Sequence, residues 1–138
     1  MLEPDIAKAI DIHEEVIEKT EGERKNLLRG KEGLNLLESA LTVVFQSFGD
    51  MECYPEPIDK AVRLLVGVIK NHPFVDGNKR TAFVLFKEFL REYGWTVRGY
   101  KIKEMVKFLE KLAASQERIE SLCKETKKFF SKRLIKLE

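Results

Sequence analysis

The 138 residues, 16.0 kDa in mass, carry 25 Lys and Arg against 23 Asp and Glu, a formal net charge of +2 that is too small to argue for a nucleic-acid partner. With 43% hydrophobic and 35% charged residues and only four prolines, the composition excludes a disordered chain. No run approaches the roughly 20 apolar residues of a membrane span, and a chain of this size buries roughly 68–70% of its unfolded surface in one core, so residues 1–138 read as a single domain.

The amino terminus, Met1-Leu2-Glu3-Pro4-Asp5, lacks the basic and apolar character of a signal sequence, and a cytoplasmic protein is expected. After Pro4, a good first-turn residue, Ile6, Ala9, Ile10, His13, Val16 and Ile17 recur at three- and four-residue spacing and predict an amphipathic helix. His13 lies on its apolar stripe, the place of a packed or hydrogen-bonded structural residue rather than a catalyst. Glu21 to Gly33 is charged and contains Gly22 and Gly30, so it reads as a loop. A second helix is predicted from about Leu34 to Phe45. Gln46 to Pro57 holds too many turn residues for a helix and by itself reads as a connection.

Two helices follow, from about Ile58 to Asn71 and from about Asn78 to Tyr93, with Gly94 as a C-terminal cap. Their apolar residues run nearly all round, the mark of buried helices. Trp95-Thr96-Val97 suggests a short extended piece, and Ile102 to Ala114 a further helix. From Ser115 to Leu137, a stripe of Ile119, Leu122, Cys123, Phe130, Leu134 and Leu137 predicts a last helix whose many lysines form a solvated face. Cys53 and Cys123 show no C-x-x-C spacing, and His13 and His72 are equally isolated; two reduced thiols are expected and zinc is set aside. The expected fold is all-α.

Between the two buried helices stands His72-Pro73-Phe74-Val75-Asp76-Gly77-Asn78-Lys79-Arg80-Thr81-Ala82. A helix opening near Asn78 presents unpaired N–H groups and partial positive charge. Lys79 and Arg80 in its first turn oppose that dipole unless an anion offsets the repulsion, so the sequence hints at a phosphate ligand. Gly77 permits a left-handed turn and a close backbone approach. Asn78 could aim its amide at an oxyanion or simply cap the helix. Histidine titrates near neutral pH, which makes His72 a candidate base, and Asp76 is a hard oxygen donor suited to Mg²⁺. Phe74 is expected to point inward as an anchor. On residue chemistry alone the bland alternative stays open, with His72 a surface or capping residue and Asp76-Gly77-Asn78 ordinary turn punctuation.

The segment resembles the signature of the Fic/Doc superfamily. Adenylylating members carry H-x-F-x-(D/E)-G-N-G-R-x-x-R, and Doc (death on curing) members H-x-F-x-D-x-N-K-R; His72, Phe74, Asp76, Asn78, Lys79 and Arg80 fill the Doc pattern completely. Leu36 to Leu41 resembles the family's upstream helix, and Tyr54-Pro55 the entry to the helix before the motif. Two positions depart from the adenylylating pattern: Lys79 replaces the middle Gly of G-N-G, and Phe83 stands where the second Arg would be.

The resemblance implies an all-α helical bundle in which Gln46 to Pro57 forms a flap, here as a short β-hairpin, that aligns a target chain beside the site. It implies an ATP-dependent transferase with Mg²⁺ at Asp76, nucleotide binding by Gly77, Asn78, Lys79 and Arg80, and His72 as the base acting on a Ser or Thr hydroxyl of a protein target, a translation elongation factor in Doc proteins. Lys79 favours transfer of the γ-phosphoryl group, and hence a kinase of the toxin-antitoxin type with an antitoxin partner. The alternatives are a Fic-type adenylyltransferase (AMPylation) and a non-catalytic nucleotide- or partner-binding module. Ser121-Leu122-Cys123-Lys124-Glu125-Thr126 nearly matches the (S/T)-x-x-x-E-(G/N) helix with which many Fic proteins block their own site, and is taken as coincidence because that pattern is common by chance.

Overall fold

A computed structural model of the chain describes residues 4–19 and 28–138, which contain six α-helices and four short strands. The helices are α1 (Ile6–Lys19), α2 (Gly30–Thr42), α3 (Pro57–Asn71), α4 (Asn78–Glu92), α5 (Ile102–Ala114) and α6 (Ile119–Ser131). The strands form two separate antiparallel ribbons, β1 (Ser47–Phe48) with β2 (Met51–Glu52) and β3 (Trp95–Val97) with β4 (Leu134–Lys136). The fold is all-α with short hairpin-like additions. Among the described residues no helix is long and apolar enough to cross a membrane.

α3 is the axis of the molecule. Every residue from Leu64 to Ile69 is buried, and the helix packs most extensively on α4, then on α6 and α2. An apolar circumference demands neighbours on all sides, and the surrounding helices supply them. α4 contributes Phe83, Leu85, Phe86, Phe89 and Leu90 to the same core, where the rings of Phe86 and Phe130 of α6 meet at a tilt of 41° with centroids 4.7 Å apart. Burying two consecutive helices this completely fixes both ends of the loop that joins them.

The expected Gln46–Pro57 hairpin is present. Ser47 pairs with Glu52 and Phe48 with Met51 around Gly49, whose φ of +64° suits a glycine. Its base is tied to α3 by buried Lys60, whose ammonium donates to Glu52 Oε1 at 2.8 Å and to the Tyr54 carbonyl.

Three boundaries differ from the sequence expectation. α2 begins at Gly30, so the Glu21–Gly33 stretch is not loop throughout; residues 20–27 lie outside the described residues. Glycine there looked like punctuation, but Gly33 serves close packing: a Cβ on it would stand 2.4 Å from the Pro73 carbonyl oxygen. α2 also ends at Thr42, and Val43–Phe45 tightens into a 3₁₀ turn. Finally, the last helix stops at Ser131. Leu134 to Lys136 leaves the helical stripe and pairs with β3, in the register Trp95 with Lys136, Thr96 with Ile135 and Val97 with Leu134. Three residues of extended partner, remote in sequence, outweighed a helical period that Leu134 and Leu137 continue only by spacing.

Candidate active site

The site is built where α3 stops and α4 starts. His72 ends α3 in the left-handed conformation, with φ 51° and ψ 56°, while its N–H still donates to the Val68 carbonyl at 3.0 Å. It is the one non-glycine residue with positive φ among the described residues. That conformation costs an L-residue about 1–2 kcal/mol, and here it turns the chain out of the helix at the candidate base.

The loop that follows is held from three sides. From the start of α2, the guanidinium of Arg29, the residue just before the helix, donates to the His72 carbonyl at 3.0 Å and the Arg29 N–H to the Pro73 carbonyl at 2.9 Å, while Asn71 Nδ2 donates to the Leu36 carbonyl of α2 at 2.9 Å. From α4, the Asn78 amide clamps Phe74 in both directions: Oδ1 accepts the Phe74 N–H at 3.0 Å and Nδ2 donates to its carbonyl at 2.8 Å. From α1, His13 stacks flat on Phe74, with centroids 3.7 Å apart and planes 4° from parallel, and its Nε2 lies 2.8 Å from the Asp76 carbonyl oxygen. Phe74 is 1% exposed, the inward anchor that was expected.

Gly77 then opens α4 at φ +77°, with α1 so near that a Cβ would stand 3.0 Å from Ile17 Cδ1 and 3.6 Å from His13 Nε2. Both the dihedral and the close approach call for glycine here. Asp76 Oδ1 accepts the Gly77 N–H at 2.8 Å, which leaves Oδ2 for a ligand.

All six residues singled out from the sequence, His72, Asp76, Gly77, Asn78, Lys79 and Arg80, line one cavity of about 380 Å³, closed by Ile17, Ile69, Val75 and Ala113. Apart from Asp76, its charged lining is cationic. The first turn of α4 contains no acidic residue. Lys79 and Arg80 are exposed and make no ion pair with another described residue. The N–H groups of Asn78, Lys79 and Arg80 have no preceding turn to bond, so amides and cations face the same space. An anion is the ligand this arrangement accepts.

Asn78 departs from both roles that the sequence left open. Its side chain is 4% exposed and spent on Phe74, so it shapes the loop instead of capping α4 or pointing its amide into the cavity. Arg29 and Gly33 were missed. Arg29 carries no sequence signal, whereas a glycine within an apolar period can mark a close approach of backbone. Glu125 of the tail pattern lies 4.0 Å from Lys111 and does not line the cavity.

A second cleft of about 430 Å³ lies between α1, α4 and α5. Val16, Phe83, Val84, Met105 and Leu109 make its apolar walls, and Lys79 and Arg80 stand on the border of both cavities.

The sequence profile of the Fic/DOC family matches residues 3–90, which takes in α1 to α3, most of α4 and the whole motif. The chain belongs to the Fic/DOC family. Among curated relatives, this Fic/DOC protein is 39% identical over 59 residues to a protein named Toxin Doc from Mycolicibacterium smegmatis, a match covering 43% of this chain and 45% of that one. The match thus spans less than half the length of the relative.

Proposed function

We propose that this Fic/DOC protein is a Doc-type protein kinase that transfers the γ-phosphoryl group of ATP to a Ser or Thr hydroxyl of a target protein. The observation that carries the reading is the start of α4, where Lys79 fills the place of the glycine of adenylylating members and stands with Arg80, unpaired with any described carboxylate, on a cavity that also holds His72 and Asp76. A phosphoryl group in flight spreads negative charge over its oxygens, and preorganised cations and amides stabilise that charge best where no solvent must reorient.

In this reading His72 takes the proton from the target hydroxyl, worth roughly 10²- to 10⁴-fold in rate. Its left-handed backbone and the Arg29 bond to its carbonyl hold it at the cavity rim. Lys79, Arg80 and the first amides of α4 bind the transferring phosphate. Gly77 and Asn78 set the turn that aims those amides. Asp76 would hold a Mg²⁺ through Oδ2, since its Oδ1 accepts the Gly77 N–H. The ion would neutralise charge on the triphosphate.

The β1–β2 flap would align the target. Phe48 and Met51 are 87% and 76% exposed, unusual for such side chains, and a two-residue ribbon edge can pair with an extended peptide. A translation elongation factor is the target class that the family resemblance suggests. The protein named Toxin Doc also supports a toxin-antitoxin setting. A disordered antitoxin segment folding as an amphipathic helix suits the apolar α1–α4–α5 cleft, and its acidic residues would meet Lys79 and Arg80.

The test incubates the protein and host lysate with ATP labelled at the α or the γ phosphate, beside His72→Ala and Lys79→Gly. Transfer from the γ position alone, lost in both variants, is expected. Transfer from the α position would make the chain an adenylyltransferase. No transfer from either, with antitoxin excluded, would favour a binding module.

A further inference from the structure

We infer that His13 of α1 is a positioning residue of this site: its Nε2–H holds the Asp76 carbonyl and thereby sets the register of the loop carrying His72, Asp76 and Gly77. The inference rests on the catalytic reading above for its effect on rate, but its structural content stands on α1 alone.

The bond fixes the tautomer. A carbonyl oxygen only accepts, so the 2.8 Å contact requires the proton on Nε2. The other ring nitrogen, Nδ1, is buried without a hydrogen-bond partner among the described residues, and the whole side chain is 1% exposed. His13 is therefore the neutral Nε2–H form with its second nitrogen in a dry setting. A residue needed only for packing would not require that donor: a phenylalanine could stack on Phe74 as well. The donor lands on the peptide between Asp76 and Gly77, where the chain turns into α4, and Gly77 has no side chain to intervene. Misplacing reacting groups by about 1 Å can cost on the order of 10²-fold in rate.

Burial pushes the His13 pKa below its ordinary 6.5, outweighing the bond to the Asp76 carbonyl and the charges of Glu14 on α1 and Asp76 in the loop, all of which favour the charged ring.

The test uses the full chain and three variants. Gln places its amide nitrogen near Nε2 and keeps a donor; Phe keeps the stack and loses the donor; Ala loses both. His13→Ala and His13→Phe are expected to lower kcat by about 10- to 100-fold with KM for ATP little changed, and His13→Gln to restore most of it. Independently of turnover, the ¹⁵N shifts of the His13 ring should report a proton on Nε2 at neutral pH. A proton on Nδ1 at neutral pH, or a Gln variant no better than Phe, overturns the inference. Absence of transfer by the wild type sinks the kinase reading while the ring shifts still decide the role of His13.

Discussion

α3 and α4 are both fifteen residues long and pack on each other along the core, yet they begin in opposite ways. α3 starts as stability asks: Pro57 opens it, the Asp59 carboxylate accepts the Glu56 N–H at 3.3 Å, and the same side chain meets Lys127 of α6 at 2.7 Å. The carboxylate in turn pushes the Lys127 pKa up. α4 starts on a left-handed glycine with two cations and no acid in its first turn. One start is satisfied internally; the other has no acidic residue in its first turn to offset Lys79 and Arg80. The contrast separates what the fold needs from what the chemistry needs within 22 residues of chain, Pro57 to Asn78.

Cutting the link between the two helices has the largest effect. Phe74→Ala removes the fully buried anchor of the loop and should cost about 3–5 kcal/mol, read as a lower urea midpoint with unchanged slope. At the start of α3, Asp59→Ala deletes the acceptor for the Glu56 N–H, a favourable dipole charge and the Lys127 partner, and should cost about 1 kcal/mol by the same measurement. At the end of α3, His72→Gly should be about 1 kcal/mol more stable than His72→Ala, because glycine takes the left-handed conformation freely, while both abolish transfer. At the start of α4 the sign reverses. Lys79→Glu should stabilise the helix by about 0.3–1 kcal/mol in thermal unfolding without ligand, and should abolish phosphate binding. A Lys79→Glu variant less stable than the wild type would show that the two starts obey one rule.

Much of this was legible in the sequence because the informative signals are local. Apolar periods place α1, α3, α4 and α5 to within a residue or two, and the conflict between Lys79, Arg80 and the helix dipole points to residues that line one cavity. Long-range partners were not legible. Leu134 to Lys136 pair with Trp95 to Val97 across the whole of α5 and α6, and spacing along the tail says nothing of a partner that far away. The same holds within the site. The six cavity residues were found from one short motif, whereas Arg29, Gly33 and the bond from His13 act on that motif from other helices. Asn78 was recognised as important but its partner was not, since either end of an amide can satisfy many neighbours.

Lys79 and Arg80 border both the polar cavity and the apolar cleft. Two sites that share a pair of cations cannot be filled independently: a polyanion on one side spends the field that the other would use. By linkage, whatever factor a triphosphate takes from the affinity of an acidic helix in the cleft, that helix takes from the triphosphate. If the chain is the proposed kinase, neutralising it would need no plug over His72: a competitor for two positive charges would suffice, and the nucleotide level would set how firmly that competitor holds.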